Sequence, residues 1–485
     1  MPGSNFSEES FFFLHVKNVC RSPAITCSPD ISVIEAARLM REQNIAGLIV
    51  VDNNAPVGIF SVRDLRDIVA VDGEHLFRHK IRDVMHVGVI SVRHSAYVFE
   101  AIFKMAKNNI HRLAVVDENR DLVGIINATD LLSQQTRSPL YLTQEIQTAE
   151  SFADLQSINS SIVDMVHSAM DAGADTRSLV HLIAHFNDGF TERIIQLMAS
   201  TEGTALPRHA AYLALGSEGR GEQTLRTDQD SAMVYADGMS TGEREQCARF
   251  AERLVDVLEF VGIPRCPGNT MASNPQWRQS LGDWKEMLEK WITVPDGENM
   301  VNFGMFQDFR TIHGDKSLEK DLRAFIHTTV QRHKLFFPQV AKNIVRFPPP
   351  LGMFGRIKVE RTGANRGKVD LKKAGIFAIT EGASLLALEN NVDDGTTWDK
   401  LEKLGQLSVL SKKDSERISE AFSQLVNFRL QHQLRELAAG NKPGNAVDPQ
   451  RMPEKTRNQL REALRGVNLL LRIIREHYRL DFISR

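Results

Sequence analysis

The chain has 485 residues, a formal net charge of −2, 42% hydrophobic and 25% charged residues, a balance that fits a soluble globular protein of about three domains. So small a charge argues against nucleic acid as an obligatory partner, because such partners demand a basic footprint. The four cysteines, Cys20, Cys27, Cys247 and Cys266, form no Cys-x-x-Cys pair, so a reducing compartment is expected rather than a disulfide framework or zinc site.

At the start of the chain the apolar run Phe11–Leu14 follows acidic Glu8 and Glu9, which is not the basic start of a signal peptide. No stretch approaches the roughly 20 apolar residues of a membrane span, and a cytoplasmic protein without membrane contact is expected. An internal repeat follows. Val33-Ile34-Glu35-Ala36-Ala37-Arg38-Leu39-Met40 matches Val98-Phe99-Glu100-Ala101-Ile102-Phe103-Lys104-Met105, and Leu48-Ile49-Val50-Val51-Asp52 matches Leu113-Ala114-Val115-Val116-Asp117. Gly58-Ile59-Phe60-Ser61-Val62-Arg63-Asp64-Leu65 stands beside Gly124-Ile125-Ile126-Asn127-Ala128-Thr129-Asp130-Leu131. Each copy predicts a helix, a buried apolar strand, a polar turn, a second strand and a helix beginning near Asp64 or Asp130.

On these motifs, residues 15–135 resemble a tandem pair of CBS (cystathionine-β-synthase) domains. The resemblance implies an adenine nucleotide in the cleft between the repeats and a homodimer built through the pair. Carried over position by position, it nominates Ser61, Asp64, Asn127 and Asp130 for ribose and phosphate, with Arg112 as a phosphate contact. Asn127 departs from the Ser or Thr usual there. Asp is also a favoured helix N-cap, so capping alone would account for Asp64 and Asp130.

Residues 150–200 carry apolar side chains at helical spacing and predict a helical connector. Ala210–Leu215 then reads as an apolar strand ending in Gly216-Ser217, and Ser231–Tyr235 as a second strand after Asp228-Gln229-Asp230. Glycine lets a phosphate approach the backbone closely, and Ser217 adds a hydroxyl donor. In a strand, residues two apart face the same way, so Asp228 and Asp230 offer paired carboxylates to a hard cation such as Mg²⁺ or Mn²⁺. A helix is predicted at 241–262, loops and short helices at 264–300, and a strand over Val301–Arg310. Helices are predicted again at about 315–345.

The Gly-Ser turn, Arg220-Gly221-Glu222 and Asp-x-Asp together resemble the polymerase-β superfamily of nucleotidyltransferases, in particular proteins related to the uridylyltransferase of the PII signalling protein. The resemblance implies that Gly216 and Ser217 grip a nucleoside triphosphate and that Asp228 and Asp230 hold metal. It also implies a third carboxylate, for which Asp308 is nominated from Gln307-Asp308-Phe309-Arg310. Arg220 would neutralise phosphate charge, with Glu222 orienting it or the loop; Arg226 is a weaker candidate. Two-metal transfer of a nucleoside monophosphate to an acceptor hydroxyl follows.

Residues 345–475 resemble the helical domain that follows the transferase in the same family. Its basic run from Arg356 to Lys373 nominates Lys372 as a phosphate contact, although a solvated basic loop explains that run equally well. His181 and His185, one helical turn apart, read as ordinary helix histidines. Trp277, Trp284 and Trp291 read as a packing stripe.

The expected architecture is therefore multidomain, α/β and α+β. It has a CBS pair (15–135), a helical connector (150–200), a nucleotidyltransferase domain with a mixed sheet (201–315) and a C-terminal helical domain (316–485). The expected function is CBS-regulated nucleotidyl transfer, of uridylyl or adenylyl type, to an acceptor that is a protein. The alternative is a non-catalytic nucleotide-binding regulator of signal transduction.

Overall fold

In the computed structural model the described residues are 14–482, apart from 44, 73–78, 109, 129–138, 226–227 and 394. They form two compact units, one of residues 1–144 with 168–174, the other of 145–167 with 175–485.

The first unit contains the repeat. Strands β1 (Thr26–Cys27), β2 (Gly47–Asp52), β3 (Ala55–Ser61) and β4 (His86–Val87) form one sheet in that order, with β1 parallel to β2 and the rest antiparallel. The second copy builds β5 (Ser91–Arg93), β6 (Arg112–Val116) and β7 (Leu122–Asn127) the same way, with β5 parallel to β6. The ladder shifts register between Val50 and Val51 in one copy and between Val115 and Val116 in the other. The helices Val33–Glu42 and Val98–Lys107 start alike: Glu35 accepts from the Ser32 amide at 2.9 Å, and Glu100 accepts from the Tyr97 amide at 2.9 Å. Each glutamate satisfies an otherwise orphaned amide at the helix start. Val33, Ala36 and Met40 of the first helix are buried against Leu48, Val50 and Phe60.

The second unit has a four-stranded sheet in the order β10-β9-β8-β11. Strand β8 (Ala210–Ala214) is central and buried throughout, antiparallel to β9 (Ser231–Tyr235) and β11 (Arg310–Gly314); β10 (Arg278–Ser280) runs parallel to β9. The helix Thr176–Glu202 starts at Asp175, whose carboxylate accepts from the Ser178 amide at 3.0 Å, and stops at left-handed Gly203. The expected strand over Val301–Arg310 is instead the helix Gly297–Phe306, and the strand begins at Arg310. Asp296 caps that helix by accepting from the Asn299 amide at 2.8 Å. Asn299, Phe303 and Phe306 fall on one buried face, at helical and not alternating spacing. Phe306 stacks on Trp284 with centroids 4.4 Å apart, and Trp277, Trp284 and Trp291 meet at 6.0–6.2 Å. The region expected to hold only loops and short helices therefore also carries a well-packed helix, Leu281–Thr293.

Helices dominate beyond residue 315, joined by a two-stranded ribbon of β12 (Val369–Asp370) and β13 (Ala446–Val447). One buried apolar cluster runs from Val180 through the sheet to Tyr478. Among the described residues no helix is long and apolar enough to cross a membrane.

Candidate functional site

Strand β8 delivers its chain to Leu215, and Gly216 then turns with φ +52° into the single helical turn Gly216–Gly219. That φ favours glycine. Gly219 is needed for a different reason: a Cβ there would lie 1.9 Å from the Asp308 carbonyl oxygen. Arg310 fixes the turn from the neighbouring strand. It grips Asp188 through Nη1 at 2.9 Å and Nη2 at 3.0 Å, and donates to the Glu218 carbonyl at 3.1 Å and the Gly219 carbonyl at 3.3 Å.

Opposite the turn, Gln229 is buried, and its amide group donates to the carbonyls of Ile263 at 2.7 Å and Val255 at 3.2 Å. Strand β9 begins only at Ser231; with Gln229 anchored inward, Asp230 reaches the cavity beside the Gly-Ser turn, whereas Asp228 is not among that cavity's lining residues. The Leu215 amide donates to the Asp230 carbonyl at 2.9 Å, which ties the pair to the Gly-Ser turn. Burial pushes the Asp230 carboxyl upward and Asp228 adds to the push, while a hydrogen bond with Cys266 and the charge of Lys372 oppose it.

Asp230 lines a cavity of 250 Å³ together with Gly216, Ser217, Lys372 and Arg429. Its far wall is apolar, with Met305, Ile344 and Phe377. Lys372 opens a π-helical turn, Lys372–Ile376, whose first amides donate to the Asp370 carboxylate at 3.0 and 3.2 Å. Such turns recur at functional sites. Arg429 reaches the cavity from the helix Lys412–Ala438.

Asp308 stands apart from the Asp228–Asp230 pair. It sits in the turn before β11, faces a separate cavity of 20 Å³, and is buried. Arg220 Nη1 donates to it at 2.8 Å, Ser384 Oγ donates at 2.9 Å, and Lys400 forms a close ion pair with it. Burial raises its pKa, but Lys400 and Arg220 outweigh burial and hold it at about 2. The expected metal set of Asp228, Asp230 and Asp308 is therefore not assembled; among the described residues no group of three His, Cys, Asp or Glu is placed to hold a metal ion. The Asp230 carboxylate beside the glycine-serine turn, with Asp228 two residues before it, still offers the oxygen donors that one hard divalent cation prefers.

Arg220 lines the larger cavity, yet it is committed to Asp308 and, through Nε at 2.8 Å, to Glu222. Glu222 also accepts from the Thr397 amide. Glu381, half-buried next to this network, has its pKa pushed up to about 7 by desolvation, against the pull of Arg220 and with the help of Asp308. Sequence reasoning missed Arg429, Cys266, Lys400 and Glu381, which reach the site region only through the folded chain. Arg226 lies outside the described residues.

In the first unit a cavity of 380 Å³ is lined by Arg21, Gly47, His111, Arg112 and Asn127 among others. Burial lowers the pKa of Arg112. Ser61 and Asp64 are not part of that cavity. Asp64 accepts from the Ser61 amide and hydroxyl, both at 2.7 Å, and lies 2.9 Å from His86, so it closes the first turn of the helix Val62–Asp72 on Ser61, the residue that precedes it. Asp130 lies outside the described residues.

Family models match three stretches: "CBS domain" over residues 16–71 and 81–136, "Putative nucleotidyltransferase DUF294" over 160–298, and "Putative nucleotidyltransferase substrate binding domain" over 334–478. An uncharacterized protein of Methanocaldococcus jannaschii is 37% identical over 108 residues, covering 22% of this chain and 34% of that protein. An uncharacterized protein of Methanopyrus kandleri is 36% identical over 118 residues, covering 24% of this chain and 60% of that protein. The chain thus spans only 34% and 60% of these curated relatives' lengths. Among solved structures, a CBS domain pair in complex with methylthioadenosine and S-adenosyl-L-methionine is 32% identical, covering 24% of this chain and 93% of that one, with a TM-score of 0.23. A CBS protein in complex with AMP is 25% identical, covering 24% and 93%, with a TM-score of 0.22.

Proposed function

We propose that this chain, which joins a CBS domain pair to a nucleotidyltransferase domain of the DUF294 family and that family's C-terminal substrate-binding domain, transfers a nucleoside monophosphate from a nucleoside triphosphate to an acceptor, with a protein as the acceptor. The observation that carries this reading is the shared cavity of Gly216, Ser217, Asp230 and Lys372. The Gly216 and Ser217 amides and the Ser217 hydroxyl hold phosphate oxygens, and Lys372 balances their charge. Asp228 and Asp230 would hold a divalent cation, Mg²⁺ or Mn²⁺, which neutralises charge at the phosphorus under attack. Arg310 keeps the turn carbonyls drawn back so that the amides stay presented. Asp308 positions Arg220 from beneath and is not a metal ligand in this scheme.

The cavity of Arg112 and Asn127 takes an adenine nucleotide, and its occupancy tunes the transfer rate. A homodimer through the CBS pair and a cytoplasmic setting belong to the same reading. The second reading, a non-catalytic nucleotide-binding regulator, is favoured by one specific feature: the Asp308 carboxylate is taken up by Arg220 and Lys400.

The test is label transfer from each α-labelled triphosphate, with Mg²⁺, into a lysate of the source organism, with wild type beside an Asp228→Ala, Asp230→Ala double variant. Label on a discrete acceptor with wild type alone supports transfer and names the nucleotide. No label from any triphosphate, with nucleotide binding intact, selects the regulator. Equal rates with and without saturating AMP would remove the sensor role.

A further inference from the structure

Arg429 is 8% exposed and lies on the helix Lys412–Ala438, some 200 residues from the Asp-x-Asp pair in sequence. Its Nε donates to the Asn445 side-chain carbonyl at 2.7 Å. Asn445 in turn accepts, through its backbone carbonyl, from the Leu371 amide at 2.9 Å, one residue before Lys372. One asparagine thus orients Arg429 and anchors the backbone that presents Lys372. Among the described residues no carboxylate lies within ion-pair distance of the Arg429 guanidinium; the acidic groups facing it are Asp228 and Asp370, both farther away. A buried guanidinium without a carboxylate partner is costly to maintain. Here its head lines the same cavity as Gly216, Ser217, Asp230 and Lys372.

From this geometry we infer that Arg429 is a substrate-binding residue that supplies a forked, bidentate contact to a phosphate of the polyphosphate in the Gly216–Ser217 cavity. This deepens the transferase reading and rests on the same cavity. A guanidinium matches two phosphate oxygens at once, which Lys372 as a point charge cannot do. Nucleotide binding would then require two parts of the second unit together: the sheet brings the Gly-Ser turn and the aspartates, and the C-terminal helices bring the fork. The ligand class is a polyphosphate ester; a nucleoside or a lone base lacks the group that Arg429 reads.

The experiment titrates the full chain with inorganic tripolyphosphate in Mg²⁺, comparing wild type with R429Q and R429K. Tryptophan fluorescence confirms that each variant is folded. We expect R429Q to bind at least roughly ten-fold more weakly, as for loss of a charge-assisted pair. R429K should fall between the two, because it keeps the charge and loses the fork. Millimolar guanidinium should restore binding to R429A, which a merely structural role would not allow. R429Q binding as wild type does, or a folded R429K binding as wild type does, would overturn the inference. So would R429A unmoved by guanidinium. Failure of the transferase reading looks different: wild type would bind tripolyphosphate through Arg429 and still move no label from any triphosphate.

Discussion

Replacing Asp308 with Asn tests whether this carboxylate serves the fold and Arg220 or holds metal. Asp308 faces two buried cations, Arg220 at 2.8 Å and Lys400 closer still, with side-chain exposures of 5%, 8% and 3% for Asp308, Arg220 and Lys400. Two routes give the cost of removing its charge. Removing one partner from a buried ion pair costs about 3–5 kcal/mol. The lowering of its pKa from 3.8 to about 2 corresponds to about 2 kcal/mol at 1.36 kcal/mol per unit. Asp308→Asn should therefore lose about 2–5 kcal/mol at neutral pH. The sign follows from a lowered carboxyl. Its stabilisation is complete above pH 4 and fades as pH falls toward 2, so the variant should lack that limb of the stability profile. All four tryptophans, Trp277, Trp284, Trp291 and Trp398, lie in the second unit, so urea unfolding followed by tryptophan fluorescence reports this unit alone. A parallel Mn²⁺ titration should find cation affinity kept in Asp308→Asn and lost in Asp230→Asn. A variant as stable as wild type, or a folded one that has lost Mn²⁺ affinity, would refute the reasoning.

Gly219→Ala places a Cβ 1.9 Å from the Asp308 carbonyl oxygen and 3.0 Å from that of Ala214; we expect loss of nucleotide binding together with a stability loss of about 2 kcal/mol or more, measured by the same urea unfolding. Glu381→Gln should stabilise the second unit at pH 8 by about 3 kcal/mol, because burial raises the Glu381 pKa from 4.5 to about 7. That raised pKa makes the wild type lose stability as pH climbs from 4.5 through 7, so the gap between variant and wild type should close near pH 4.5; a gap independent of pH would contradict it. Arg112→Gln should weaken AMP binding to the full chain at least roughly ten-fold by calorimetry, while Asp64→Asn, which alters a helix cap, should change AMP affinity little.

The repeat was plain in the sequence because each copy keeps the same apolar strand, turn and helix order, and both sheets keep the same three-strand arrangement, to which the first adds the edge strand β4. The Gly-Ser turn at the end of a buried strand was also legible, since it is local; the Asp-x-Asp pair precedes β9 instead of lying in it, and only Asp230 lines the cavity. The helix Gly297–Phe306 was not. Val301–Phe306 is apolar enough to pass for a buried strand, and only the inward turn of Asn299, Phe303 and Phe306 resolves the period. Asp308 could be picked out as a notable carboxylate, but its partners could not. Arg220 and Lys400 lie 88 and 92 residues away in the chain, and ion pairs at that range leave no local pattern. Arg429 was hidden for the same reason, sitting in a long helix among ordinary charged residues. In the CBS pair, Asp64 was legible as either a ligand or a capping residue, and its hydrogen bonds with Ser61 show its part in capping the helix start.

The apolar cluster that runs unbroken from Val180 to Tyr478 also bears on how this protein can vary. Phe336 and Leu322 share that cluster with Leu425 and Leu470, so the sheet-bearing half and the C-terminal helices lack separate interiors. A truncation near Pro348 would expose apolar surface on both sides and leave two fragments with open cores in place of a smaller folded protein. The sheet and the C-terminal helices are then inherited as a single piece, since neither can be exchanged without opening the interior of the other.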